Sequence, residues 1–179
     1  MRKIIVIGTM HRMMPQAEAE FATLLEQYSP QQLLVEIDND DLQRNQINDY
    51  PKEMIFAVKW AKERGLPVLG FDCKINTSRV GIDPDFEEQV IERQLKVLGN
   101  RSWIELNVSS VNRELEQVDG FDSLVDKDAV ILRHKVILEN ARQRAATEGV
   151  IVLLTGCANL DVFDGQLEDS VLPLRYSNF

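Results

Sequence analysis

Four short aliphatic runs divide the chain, and each leads into a polar or glycine-containing turn. They read KIIVIG, QLLVEID, LPVLGFD and VIVLLTG at residues 3–8, 32–38, 66–72 and 150–156. Continuous apolar runs of this length are typical of strands buried on both faces, as in a parallel sheet. The pattern predicts four such strands. A last run, VLPLRY at 171–176, contains Pro173 and is expected at a sheet edge, because proline cannot donate to a ladder.

Helical patterns lie between these runs. Apolar positions three or four residues apart extend from Ala17 to Tyr28 and again from Met54 to Ala61. Gly65 follows the second pattern, where a helix commonly ends in a left-handed residue. Strands alternating with helices predict an α/β fold, with a mostly parallel sheet and flanking helices in a single domain over residues 1–179.

The middle of the chain, residues 83–125, carries no strand pattern and is expected to be a helical insertion. Ser102 with Glu105 forms a capping box ahead of apolar positions whose 4-3-4-3 spacing over 104–118 makes a short heptad-like seam. Two interpretations stay open: the insertion contacts a second copy of the chain through residues 102–118, or it packs against the sheet. Helices are expected to begin at Asp83-Pro84 and at Asp126, the latter reaching about Thr147.

Charge and cysteine usage exclude several partners. Twenty Lys and Arg against twenty-nine Asp and Glu give a net charge of −9, so the average surface repels a phosphate backbone and no nucleic acid partner is expected. No apolar run approaches the roughly 20 residues that a membrane span needs. Cys73 and Cys157 stand 84 positions apart without a CxxC motif, which favours a reducing cytoplasm over a disulfide framework.

Polar side chains follow the predicted strands where their carboxyl ends should meet at one edge of the sheet. His11 follows the first strand, Glu36 lies near the end of the second, Asp72 ends the third, and Cys157 and Asn159 follow the fourth. Imidazole, carboxylate and thiolate groups bind zinc, and the first two also bind manganese. The sequence therefore predicts a divalent metal site at this edge, where the metal would activate water with a carboxylate as base.

Simpler interpretations stay open for the same residues. Asp72 is also expected to cap a turn, and the two cysteines to serve as small apolar fillers. Glu36 inside a buried strand requires a partner, because burying an unpaired carboxylate costs several kcal/mol. Arg133, together with Arg142, either holds an anionic substrate or fixes Glu36 through a charge-assisted hydrogen bond. His134 lies on the same helix and belongs either to a solvated face or to the site.

The string Gly8-Thr9-Met10-His11, followed by a helix and then Leu33-Leu34-Val35-Glu36, resembles the opening of the TraB/PrgY and Tiki superfamily with its GTxH motif. Leu69-Gly70-Phe71-Asp72 is similar to the family's third strand, and Arg133-His134 to a helical pair that begins with arginine. Thr155-Gly156-Cys157-Ala158-Asn159 aligns with the second GxxH motif, with Asn159 in place of the histidine.

The resemblance implies an α/β fold with a helical insertion and, for the Tiki branch, metal-dependent peptide hydrolysis. On that basis His11, helped by Asp72 or Cys157, would hold Zn²⁺ or Mn²⁺, Glu36 would take the proton from water, and Arg133 would stabilise the oxyanion of an amide or ester substrate. Since asparagine is a weak neutral metal ligand, Asn159 favours the alternative, a catalytically degenerate binding or regulatory module for a small molecule or peptide.

Overall fold

The structure, a computed structural model, describes residues 1–10 and 17–176. Its centre is a five-stranded sheet in which all neighbouring strands run parallel, in the order β3-β2-β4-β1-β5. The strands are β1 Arg2–Thr9, β2 Gln32–Asp38, β3 Val68–Asp72, β4 Gly149–Gly156 and β5 Ser170–Val171. The predicted α/β class with a parallel sheet is confirmed.

Helices cover both faces of this sheet. They are α1 Glu18–Tyr28, α2 Asn39–Gln43, α3 Lys52–Glu63, α4 Pro84–Leu98, α5 Ser109–Glu116, α6 Phe121–Leu124, α7 Lys127–Arg144 and α8 Leu160–Phe163, with short 3-10 turns at Glu105–Asn107 and Cys157–Asn159. None of the helices in the described part of the chain combines the length and apolar composition needed to cross a membrane.

Side-chain alternation along the central strands divides the core into two layers. Ile5 and Ile7 of β1 pack with α1 and α3, whereas Ile4 and Val6 pack with α7 and α8. All four side chains are fully or almost fully buried, and each contributes about 1.5–3 kcal/mol through removal from water. Burial on both faces is the physical reason that the strand reads as a continuous aliphatic run.

The predicted helix boundaries at the capping residues are confirmed. Asp83 accepts a hydrogen bond from the backbone of the first turn of α4, and Asp126 does the same for α7. Gly65 follows α3 with a φ of 68°, the left-handed conformation expected there.

The C-terminus of α7 lies at Arg144, three residues before the predicted end. The cause is the buried Gln32 of β2, whose Nε2 donates to the Arg144 carbonyl at 2.9 Å and whose Oε1 accepts from the Ala146 N–H at 2.7 Å. This side chain satisfies backbone groups that a further turn of helix would otherwise use.

The heptad-like spacing over 104–118 is not one continuous helical seam, because the chain forms a 3-10 turn at Glu105–Asn107 and starts a new helix at Ser109. Asn107 is the cause: its Oδ1 accepts from the Gly8 N–H at 2.7 Å and its Nδ2 donates to the Gly8 carbonyl at 3.0 Å. The hydrogen bonds expected between Ser102 and Glu105 are present. Three apolar side chains of the seam pack against the molecule's own core: Ile104, Val111 and Leu115.

The predicted last strand over 171–176 is also wrong in extent, although its place at the sheet edge beside β1 is confirmed. Only Ser170–Val171 forms β5. Beyond Pro173, which lacks an N–H, the chain turns so that the buried Arg175 donates to the Asn107 carbonyl and forms an ion pair with Asp161. The end of the described chain is thus held by the insertion rather than by the sheet.

We predict that replacing Asn107 by leucine, which is of similar size, lowers the free energy of unfolding by about 2–4 kcal/mol, because both backbone groups of Gly8 would stay buried without partners. Urea unfolding followed by circular dichroism measures the change. Asn100→Leu is the matched control, since Asn100 is exposed and surface substitutions usually stay within about 0.5 kcal/mol. Equal stability of the two variants would contradict the clamping role of Asn107.

Candidate functional site

The candidate site lies at the carboxyl ends of β1 and β4, the two neighbouring strands near the centre of the sheet. The chain leaving β1 leads to α1 on one face of the sheet, and the chain leaving β4 leads to α8 on the other face. Connections that diverge in this way open a crevice, which is where open α/β sheets place their ligands.

A β-bulge in β2 sets the position of Glu36. Val35 pairs with Gly70 and Asp38 pairs with Asp72, so β2 uses one residue more than β3 between the two pairs. Bulges of this kind re-aim a side chain. Gly70 is required for the close approach of the strands, since a Cβ there would lie 2.3 Å from the carbonyl oxygen of Ile37.

Both carboxylate oxygens of Glu36 are fully engaged. Oε1 accepts from Arg133 Nη2 at 2.7 Å and from Asn159 Nδ2 at 2.8 Å. Oε2 accepts from the Gly156 N–H at 2.6 Å and from the Thr155 hydroxyl. A carboxylate offers about four lone-pair positions, so these four donors leave none directed at solvent.

The environment of Glu36 keeps it ionised. Burial alone would raise its pKa, but the hydrogen bonds from Thr155, Arg133 and Gly156 and the positive charge of Arg133 outweigh burial, and the pKa is lowered. An ionised carboxylate whose lone pairs are all occupied is a poor proton acceptor and a poor metal ligand.

Arg133 joins two strands to α7. Its Nη2 contacts both Glu36 Oε1 at 2.7 Å and Asp72 Oδ1 at 2.8 Å, and its Nε also donates to Asp72 Oδ1 at 3.1 Å. Burial opposes the charge, but the two carboxylates outweigh it and the pKa of Arg133 is raised. Of the two interpretations of this arginine, the contact with Glu36 is the one observed. Arg142 lies elsewhere and donates to the Gln166 carbonyl. We call Glu36, Asp72 and Arg133 the carboxylate network.

Asp72 differs from Glu36 in having one oxygen without a partner. Its Oδ1 accepts from Arg133 and from the Cys73 N–H at 2.7 Å, so it does cap a turn, but within residues 1–10 and 17–176 no donor reaches Oδ2. Burial raises the pKa of Asp72 despite the opposing effect of Arg133. The two carboxylates of the network are therefore shifted in opposite directions.

Those predicted metal ligands that the structure describes have other partners. Asn159 uses its amide to donate to Glu36 and to hydrogen-bond His134. The Cys157 thiol is buried against Met10, 4.0 Å from its sulfur, and burial raises the pKa of Cys157 to about 11. Among the described residues, no three His, Cys, Asp or Glu side chains come together to hold a metal ion. His11 lies outside the described residues.

An open groove adjoins the carboxylate network. Its main cavity has a volume of about 520 Å³, and Arg133, His134 and Asn159 lie on its wall. Much of the remaining wall is apolar, formed by Phe121, Val125, Val130, Ile131 and Ala158. Burial and the charge of Arg133 lower the pKa of His134, so its imidazole is neutral at pH 7. Of its two interpretations, the place in the site is the one observed.

A second cavity of about 240 Å³ opens beside the first and shares Glu116, Phe121 and Ala158 with it. Its other lining side chains are mostly apolar: Met10, Ile91, Leu95, Leu98, Leu115 and Cys157, with Gln94 and Asn112. We call the two cavities together the groove. In the second cavity the insertion supplies one wall and the turns after β1 and β4 supply the other, whereas α7 lines the main cavity.

Sequence reasoning missed three residues that shape this region. Glu53 of α3 is buried and accepts from the Thr9 hydroxyl at 3.3 Å, and its position four residues before the buried Ala57 would have placed it on the apolar helix face. Asn112, four residues after Val108, donates to the Cys157 carbonyl at 2.7 Å and fixes the turn after β4. Glu116 carries no comparable pattern.

Comparison of this chain with protein-family models, with curated protein sequences and with solved structures finds no match. The resemblance to the TraB/PrgY and Tiki superfamily therefore stays a prediction that rests on the short motifs alone.

We predict that Glu36→Gln lowers the free energy of unfolding by about 3 kcal/mol at pH 7, because one partner of a buried ion pair is removed. Since folding lowers the pKa of Glu36, the stabilisation it gives is complete above the ordinary value of about 4.3 and is lost as the pH falls through the folded value. The difference between wild type and variant should therefore shrink below about pH 4. Urea unfolding between pH 2.5 and 7 measures it.

Asp72→Asn is the matched control, and for it we expect the opposite dependence of stability on pH. Folding raises the pKa of Asp72, so wild type loses stability relative to this variant as the pH rises from the ordinary value of about 3.9 through the folded value. The same pH trend in both variants would contradict the opposite shifts of the two carboxylates.

Proposed function

We propose that this protein is a ligand-binding α/β module that holds a small organic molecule in the groove and uses the carboxylate network as a fixed support. One observation carries the proposal: both oxygens of Glu36 are occupied by four donors, while an open cavity of about 520 Å³ lies directly beside them. The hydrogen bonds of Glu36 are thus made within the protein, and the adjoining cavity is open.

The contacts of the network support a positioning role. The side chains of Glu36, Asp72 and Arg133 are each only 13–16% exposed. They lie on β2, β3 and α7 respectively. Separating the partners of a buried ion pair would leave an uncompensated charge and is strongly destabilising. The network therefore fixes α7 against β2 and β3. The wall of the groove that α7 carries is held in one place, and preorganised walls reduce the cost of binding.

The groove itself has the properties of a small-molecule site. Pockets for such ligands have volumes of about 300–1,000 Å³, mostly apolar walls and a few polar groups, and the main cavity agrees in each respect. The neutral His134 and the Asn159 amide offer hydrogen bonds at one end, and Phe121 and Ile131 offer apolar contact.

The second candidate is hydrolysis of an amide or ester. It is favoured by Asp72, whose Oδ2 accepts no hydrogen bond from any described residue and whose pKa is raised by burial, the direction expected for a carboxyl group that acts as a general acid or base. In a metal-dependent form of the reaction, His11 and Asp72 would have to supply the principal ligands, because the lone pairs of Glu36 are occupied.

We predict that Ala158→Trp weakens binding of Nile red, a neutral apolar dye, to the folded protein. Ala158 is exposed and lines both cavities of the groove, so an indole there fills the space without disturbing the core. Fluorescence titration should give at least a tenfold weaker affinity than wild type.

Ala19→Trp is the matched control, because Ala19 is exposed on α1 and belongs to the opposite side of the sheet. This variant should bind the dye as wild type does. Equal binding by wild type and Ala158→Trp would rule out the groove as the ligand site.

A metal titration separates the two candidates. A ligand present at about 100 times its dissociation constant stabilises a protein by roughly 2.7 kcal/mol. If the protein is a binding module, Zn²⁺ or Mn²⁺ should raise the melting temperature of wild type no more than that of the double variant His11→Ala, Asp72→Asn. A rise that wild type shows and the double variant lacks would favour the metal-dependent hydrolase instead.

A further inference from the structure

Glu116 occupies the junction of the cavities at the C-terminal end of α5. It lines both cavities of the groove and also a third cavity of about 460 Å³ beside His134 and Lys135. Within the part of the chain that the structure describes, its carboxylate makes no hydrogen bond and no ion pair. An exposed carboxylate thus stands where the three cavities meet, with no donor from the described residues on its oxygens.

The two positively charged side chains that line the groove in the described part of the chain, Lys127 and Arg133, are both paired with carboxylates. Lys127 pairs with Asp122 at 2.6 Å, and Arg133 is shared between Glu36 and Asp72. The first pair is neutral, and the two carboxylates of the network offset the charge of Arg133. Among the described residues that line the groove, Glu116 is therefore the charged group that has no ion-pair partner. Such a site attracts a cation and disfavours an anion.

Two arginines act on Glu116 from a distance, but no described residue forms an ion pair with it. Burial and the charge of Asp161 raise the pKa of Glu116, against the opposing effects of Arg175 and Arg113. Arg175 is itself paired with Asp161. A positively charged ligand group would supply the partner that no described residue provides.

The cavity beneath Glu116 accepts an apolar group. Its volume is about 240 Å³, and a cavity of about 150 Å³ lined by apolar side chains already binds benzene. Leu98 and Leu115 belong to its walls and offer no hydrogen bonds, so a hydrated metal ion or a small polar cation would leave this space unfilled.

We propose that the ligand of the groove is an amphiphilic amine whose ammonium group pairs with Glu116 while its apolar chain enters the 240 Å³ cavity. This inference rests on the proposed binding function and names the chemical class of its ligand. A free amine that carries a short alkyl or aryl group satisfies both the charge and the shape.

Three probes that share one alkyl chain test the proposal: hexylamine, 1-hexanol and hexanoate, titrated by calorimetry at pH 7 and low salt. Wild type should bind hexylamine about fivefold or more tightly than hexanol, as expected for one partly exposed ion pair, and hexanoate more weakly than hexanol. Glu116→Gln should bring the affinity for hexylamine down to that for hexanol. Unchanged binding of hexanol by this variant shows that the groove is intact.

Glu88→Gln is the matched control, because Glu88 is exposed on α4 and is not among the residues lining the cavities. It removes the same charge from a chain of net charge −9, so an equal loss of hexylamine binding in both variants would show general attraction of cations and overturn the proposal.

The outcomes also separate this inference from the proposed function. Equal affinities of wild type for all three probes, or a preference for hexanoate, would overturn the amine proposal and leave the binding groove standing. Failure of all three probes and of Nile red to bind would overturn both.

Discussion

Compensation of one buried carboxylate is the constraint on which the arrangement of this molecule depends. Glu36 lies on a strand that is otherwise aliphatic, and an uncompensated charge there would cost several kcal/mol. Its donors come from β4, from the turn that follows β4, and from α7. Because all of these donors must reach the same carboxylate, the positions of the sheet edge, the turn and the helix relative to one another are fixed. The wall of the groove that α7 carries is a consequence of that position.

Elements whose stability is local or whose burial is complete could be predicted from the sequence. The strands of the central sheet read as aliphatic runs because both faces are covered, and Asp83, Asp126 and Gly65 mark helix boundaries through contacts within a few residues. The predicted extents of helices and strands were wrong where a residue far away in the sequence determines the local structure. Asn107 interrupts a helical pattern because it bonds to Gly8, 99 positions away, and the turn near Arg175 is held by the insertion. No local pattern contains such information.

The same distinction applies to the candidate site. Placing polar residues at the ends of parallel strands correctly brings Glu36, Asp72 and Asn159 together, since the topology alone ensures it. Residue type could not reveal whether a carboxylate is available for chemistry. Availability depends on how many donors surround it: Glu36 has four, whereas no described residue donates to Oδ2 of Asp72. Glu116 escaped notice because its importance comes from the cavities around it and not from its neighbours in the sequence.

Asn159 gives a physical reason to regard the network as a support. Its amide donates to Glu36 and hydrogen-bonds His134 at the same time, a double task that a neutral imidazole could also perform. An imidazole in contact with an ionised carboxylate would, however, gain a proton more readily, and the charge of the network would then change near physiological pH. Asparagine does not titrate. The Asn159 side of the contact therefore keeps its charge near physiological pH, which suits a fixed wall of a binding groove better than a centre that must exchange protons.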